Sequence, residues 1–185
     1  FEIFFYYIFI FAIFFNIFKI NPVFVLTRNF WDLYPMLQTR LIYYGKLVGT
    51  LSLLSAGLFA TGLEYQRIGL ATVLVFLIPA ALVMVLPIDT SVIVIGNTFK
   101  IGSFIELISI IMIINVISII NFIIAGIKND NKDYYIIAIT LLLAITGREI
   151  AFYFTNTFLE AAGFLLLLVG TSIFSWKVHH LYLWY

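Results

Sequence analysis

The sequence predicts an all-α integral membrane protein, a bundle of about six transmembrane helices with a short β-hairpin between spans three and four. Three observations carry the prediction. Hydrophobic residues make up 64% of the 185 and charged residues 10%, against about 45–50% and about 25% in a soluble domain. The mean hydropathy of +1.14 also excludes disorder, which needs low hydrophobicity. Apolar runs reach or approach the roughly 20 residues that a helix needs to cross hydrocarbon. Runs such as Leu70–Leu86 are apolar on every face, unlike the short alternating strands of a membrane barrel.

The spans follow from the breaks between apolar runs. The first is Ile3–Phe18, which is short unless extended upstream. It lacks a basic leader and a small-residue cleavage motif, so it reads as a span and not a signal peptide. The chain begins with Phe1, not Met, so we expect a processed chain or part of a longer one. Lys19–Arg40 mixes Arg28, Trp31, Asp32 and Pro35, as expected of a segment at headgroup level. Span two is Leu41–Leu63, and Glu64–Arg67 is a turn. Span three, Ile68–Leu86, contains Pro79, which predicts a local kink.

The stretch Pro87–Ser103 holds two β-prone runs around Gly96-Asn97. A glycine–asparagine pair between such runs favours a two-residue hairpin turn, predicting Val92–Ile95 paired with Thr98–Ile101. Span four is Phe104–Ile127, followed by a polar turn at Lys128–Asp133. Spans five and six, Tyr134–Phe154 and Thr157–Val178, are separated by Thr155–Asn156. So short a link predicts antiparallel neighbours. Residues 1–185 read as a single polytopic domain without internal repeat, which leaves an inverted-repeat carrier unsupported. Basic residues near the span ends tie. Arg67, Lys128, Lys132 and Lys177 lie on the N-terminal face against Lys19, Arg28, Arg40 and Lys100, so the positive-inside rule gives no orientation.

Several chemistries lose their residues at this stage. Net charge is +1, which is no footprint for nucleic acid. There is no Cys, so no disulfide, thiolate metal site or cysteine nucleophile is expected. The two histidines, His179 and His180, are adjacent and near the C-terminal end, which suits neither a membrane haem nor a metal site on one helix face. We expect no cofactor and no metal site. No phosphate-binding glycine loop or Ser/His/Asp arrangement is present.

The candidate ligand- or ion-binding residues are Asp89, Arg148, Glu149 and Glu160. Arg148 and Glu149 lie inside span five, where an ionisable residue is a functional hypothesis by default. At 1.5 Å per residue Arg148 is roughly 8 Å from the span end and can reach the headgroups by extending its stem. Adjacent helical residues point about 100° apart, so each is expected to need its own partner. Glu160, one turn into span six, is the expected partner of Arg148. Asp89, with Lys100 nearby, lies in the connection on the same face, so the four candidates could together line a polar pocket under the hairpin. Ordinary interfacial charge is the favoured reading.

Lys46 is expected to lie along lipid with its amine at the surface. Glu106 reads similarly, near the start of span four, and Glu64 and Arg67 as solvated. Span four carries Asn115, Ser118 and Asn121 at intervals of three, with Ser109 preceding them. Such a stripe should face other helices. Span two carries Gly45, Gly49, Ser52, Ala56 and Ala60, small residues that permit close helix approach. It is expected to be a central packing helix or an oligomer face. Aromatics such as Tyr43-Tyr44, Tyr134-Tyr135 and Trp176 sit near span ends, as an interfacial belt requires.

The expected function is a non-catalytic polytopic membrane module, either a signal-input domain or an embedded subunit of a larger complex. The expected partners are the lipid bilayer and other membrane subunits, or a second copy through span two. The alternatives are a small transporter or channel using the polar residues of spans four to six, and a membrane enzyme acting on a lipid.

Overall fold

In a computed structural model, residues 2–15, 33–95, 98–154 and 156–183 are described. The elements are α1 (Glu2–Ile13), α2 (Leu33–Ala60), α3 (Ile68–Val85), β1 (Ile88–Ile95), β2 (Thr98–Ile101), α4 (Phe104–Lys128), α5 (Asp133–Tyr153) and α6 (Thr157–Leu183). A short 3-10 turn, Tyr65–Arg67, leads into α3. The helices α2 to α6 are long and apolar enough to cross a membrane, and α1 is a shorter apolar helix of 12 residues. The end of the first predicted span and the headgroup segment as far as Asp32 lie outside the described residues, as do the Gly96-Asn97 turn and Thr155.

Helix α2 begins at Leu33, within the segment expected to be a surface connection. Hydropathy hides this start because Gln38, Thr39 and Arg40 are polar. Pro35 falls in the first turn, where a missing N–H breaks no helical bond. The polar residues have work inside the fold. The Arg40 guanidinium donates to the Val83 carbonyl and, at 3.0 Å, to that of Met84. These are orphan acceptors at the α3 C-terminus.

The bundle is organised around α2 and α5, which are mostly buried, while α3, α4 and α6 present apolar side chains outward. Helix α1 lies antiparallel on α2. Phe5 stacks on Phe59, and Phe9 and Ala12 reach Gly49. The small-residue face of α2 is thus covered within the same chain. A Cβ on Gly45 would collide with Phe15, and Ser52, Ala56 and Ala60 are all buried. The helix ends at a left-handed Gly62 (φ 103°), with Leu63 N–H donating to Leu58 O and Gly62 N–H to Phe59 O. This pairing satisfies two terminal carbonyls.

The α5–α6 pair is antiparallel, as expected, and very close. A Cβ on Gly147 would lie 2.5 Å from the Leu167 amide nitrogen, and one on Gly170 would lie 2.6 Å from that of Ala144. Glycine therefore sets the approach of these two backbones. Lys177 closes the pair at its far end with an ion pair to Asp133 at 2.8 Å.

The predicted hairpin is present, with a first strand longer than expected. β1 and β2 pair antiparallel, with Ile88 opposite Ile101 and Ile95 opposite Thr98, and with irregular register between Asp89 and Ile93. The extra residues of β1 are absorbed by that irregularity, as a bulge allows. The hairpin docks on α2. Phe99 N–H donates to Thr39 Oγ1 at 3.1 Å, and Ile101 is fully buried in a cluster with Ile42, Tyr43, Val83 and Leu107.

Candidate functional site

Three ionisable side chains meet inside the bundle. Lys46 comes from the middle of α2, and Arg148 and Glu149 from the last third of α5. Their residues are 4%, 3% and 7% exposed. Isolated charges in such surroundings would cost several kcal/mol each, roughly, even after relaxation. Here they neutralise one another in part. Lys46 Nζ lies 2.7 Å from Glu149 Oε2, and Arg148 Nη2 lies 2.8 Å from Glu149 Oε1. Arg148 Nε also donates to Oε1, at 3.1 Å. Both carboxylate oxygens are therefore engaged by cations.

Uncharged neighbours complete the arrangement. Arg148 Nη2 donates to Thr50 Oγ1 at 3.2 Å and lies 3.5 Å from Asn115 Oδ1. The Thr50 hydroxyl in turn donates a hydrogen bond to the Lys46 carbonyl. Lys46 Nζ donates to the Tyr153 hydroxyl at 2.8 Å and stands 3.8 Å from the centre of the Phe152 ring. Such cation–ring contacts strengthen where water is absent. The Phe9 ring of α1 covers Arg148, 5.6 Å from the guanidinium carbon. Helices α1, α2, α4 and α5 therefore all contribute.

The arrangement corrects four expectations. Arg148 and Glu149 do pair, although they are adjacent on one helix. Both are buried, and bending two side chains costs less than leaving either charge alone. Arg148 does not reach the headgroups, and its carboxylate partner is Glu149, not Glu160. Lys46 does not lie along lipid. Because α2 starts at Leu33, this lysine is mid-helix and turned inward.

The four candidates do not form one pocket. Arg148 and Glu149 are together. Glu160, in the first turn of α6, is half-buried and takes no part in the cluster's bonds. Asp89 is on the outer strand of the hairpin. It accepts hydrogen bonds from the Ser91 amide at 3.0 Å and the Ser91 hydroxyl at 2.5 Å. Those bonds, with Lys100 nearby, hold the Asp89 carboxyl below its usual range. Glu64 and Arg67 form an exposed pair at 3.6 Å, in keeping with the solvated reading. Of the α4 stripe, Asn115 and Ser118 are buried, and Asn121 meets Gly57 of α2, while Ser109 faces outward.

Sequence reasoning missed Lys46, Thr50, Asn115 and Tyr153 as members of one site. The available signal was charge balance, since Lys46 is an internal cation on a helix that carries no carboxylate and Glu149 is an internal anion.

A small cavity of about 10 Å³ adjoins the cluster, lined by Phe9, Ala12, Ile13, Gly45, Lys46, Gly49, Arg148 and Phe152. That is room for about one water. An open apolar groove of about 270 Å³ lies elsewhere, between α2 and α3, with Arg67 as its charged residue. Among the described residues no group of three or more His, Cys, Asp or Glu is arranged to hold a metal ion. In comparisons with known proteins, no family model, curated protein or solved structure matches the chain.

Proposed function

We propose that the chain is a non-catalytic multi-pass membrane module that works as an embedded subunit of a larger assembly. One observation carries this reading. The buried ionisable groups of α2 and α5, Lys46, Arg148 and Glu149, pair with one another, and the space beside them admits about one water. An enzyme acting on a lipid needs an acid or base facing a substrate-sized space. Glu149, the cluster's one carboxylate among the described residues, already meets two cations.

The outward faces support the same reading. Leu70, Val73 and Leu77 of α3 and Leu165 and Leu168 of α6 are all well exposed. In hydrocarbon these faces suit lipid or the apolar surface of another subunit. The small-residue face of α2 is already occupied by α1 and α4, so a partner would meet α3, α4 or α6.

The test is extraction from native membranes in mild detergent, followed by mass determination of the particle. The reading expects a particle well above 21.2 kDa after correction for detergent, with partner chains in fixed stoichiometry. A lone chain that instead carries ions across proteoliposomes, with flux lost in Arg148→Ala, would establish the transporter reading in its place. That second reading rests on the burial of Lys46, Arg148 and Glu149 inside the bundle.

A further inference from the structure

We propose that the groove between α2 and α3 holds one acyl chain of a phospholipid whose headgroup carries a primary ammonium beside its phosphate, the ethanolamine class. The inference rests on the multi-pass membrane reading but not on the subunit reading, since it concerns this chain and a lipid alone.

The first argument is shape. The groove, of about 270 Å³, is lined along α2 from Leu51 to Leu63 and along α3 from Arg67 to Ile78. At 1.5 Å per residue the α3 wall runs roughly 16 Å. That is about half of a hydrocarbon core about 30 Å thick, the depth of one leaflet. Ser55 and Val75 of the lining are buried, while Leu58, Leu70 and Leu74 stand exposed around them. The result is a long, open, apolar channel.

The second argument is the polarity of the lining. The Ser55 hydroxyl donates to the Leu51 carbonyl at 3.0 Å, so it requires nothing of an occupant. Arg67 is the one charged side chain of the lining, and it lies at the end of the groove where α3 begins. A fitting occupant is therefore apolar along its length and carries an acceptor at one end.

The third argument is charge complementarity at that end. Arg67 Nε and Glu64 Oε2 are 3.6 Å apart, and the two side chains are 62% and 70% exposed. A phosphate set against Arg67 also comes close to the Glu64 carboxylate. An ethanolamine headgroup meets both charges, because the guanidinium donates to its phosphate and its ammonium donates to the carboxylate. Choline has no N–H to donate, and a glycerol headgroup has no cation. Lys128, at the same end of the bundle, donates instead to the Thr61 carbonyl at 2.7 Å.

Native mass spectrometry of the detergent-purified chain tests the assignment, with dioleoyl phosphatidylethanolamine, phosphatidylcholine and phosphatidylglycerol in equimolar competition. The ethanolamine lipid is expected to lead the one-lipid adducts by about two- to fivefold, the factor that one exposed ion pair supplies. Glu64→Gln should make ethanolamine and choline lipids equal. Ala71→Trp, which fills the groove, should remove the preferred adduct, and Leu77→Trp, on the same helix but outside the lining, should leave it. Equal adducts of the three lipids, a lead for the glycerol lipid, a preference retained in Glu64→Gln or Ala71→Trp, or a dimer in place of the lipid adduct would each overturn the proposal. If Ala71→Trp fails to fold, the wild-type and Glu64→Gln competitions decide. A chain that stays dispersed without any detergent would defeat the multi-pass reading itself, and the lipid site with it.

Discussion

Glu149 is the residue on which the buried charges depend. It accepts from Lys46 on one oxygen and from Arg148 on the other. Glu149→Gln would take the shared carboxylate away from two buried cations, so it is expected to cost about 3–5 kcal/mol of stability. Lys46→Met should cost clearly less, because Arg148 and Glu149 still neutralise each other and the methionine stem refills the space. Denaturant titration of both variants in the same detergent checks this order, and a larger loss for Lys46→Met would refute the assigned roles. Glycines give a second residue-scale contrast. Gly147→Ala puts a methyl against the α6 backbone and is expected to destabilise by about 1–3 kcal/mol. Gly69→Ala meets nothing within 4 Å and should stabilise α3 by roughly 0.5–1 kcal/mol, the ordinary helical preference for alanine. Thermal melts of the two variants should therefore move in opposite directions.

At the scale of elements, the sequence makes some features plain and conceals others. Spans and the hairpin were legible because their signals are local, in unbroken hydropathy and in a Gly96-Asn97 pair between β-prone runs. The start of α2 was not, since Gln38, Thr39 and Arg40 read as surface residues until α3 supplies acceptors for Arg40 and β2 a donor for Thr39. The charge cluster was concealed for the same reason. Two of its members, Arg148 and Glu149, were visible as ionisable residues within a span. Lys46 is 107 positions from its Tyr153 partner, and no local pattern connects them. The close approach of α5 and α6 was anticipated from the short link, but the part played by Gly147, Gly163 and Gly170 emerges only once facing backbones are in place. The hairpin carries its own prediction. Its Asp89 carboxyl is held low by Ser91 and then by Lys100. A lowered folded value means that the Asp89–Ser91 contact contributes above the ordinary carboxylate range and is lost as pH falls through the lowered value. The Ser91 amide resonance should therefore shift on acidification below the usual aspartate range. The same shift in Asp89→Asn would assign it to another group.

For the whole molecule, five helices are long and apolar enough to cross a membrane and enclose a buried charge cluster, with the hairpin at one end of the bundle and the turn at Asp130 at the other. The antiparallel packing of α1 on α2 and of α5 on α6, and the contact of Arg40 with the end of α3, give the same alternation. The absence of cysteine makes this arrangement directly measurable. Single substitutions Glu64→Cys, Asp130→Cys, Ser91→Cys, Glu106→Cys and Ser52→Cys can each be introduced and challenged with a membrane-impermeant maleimide in sealed vesicles of known orientation. Positions 64 and 130 should react from one side only, positions 91 and 106 from the opposite side only, and position 52 from neither. Reaction of 64 and 91 from the same side, or of 52 in the folded protein, would contradict the account.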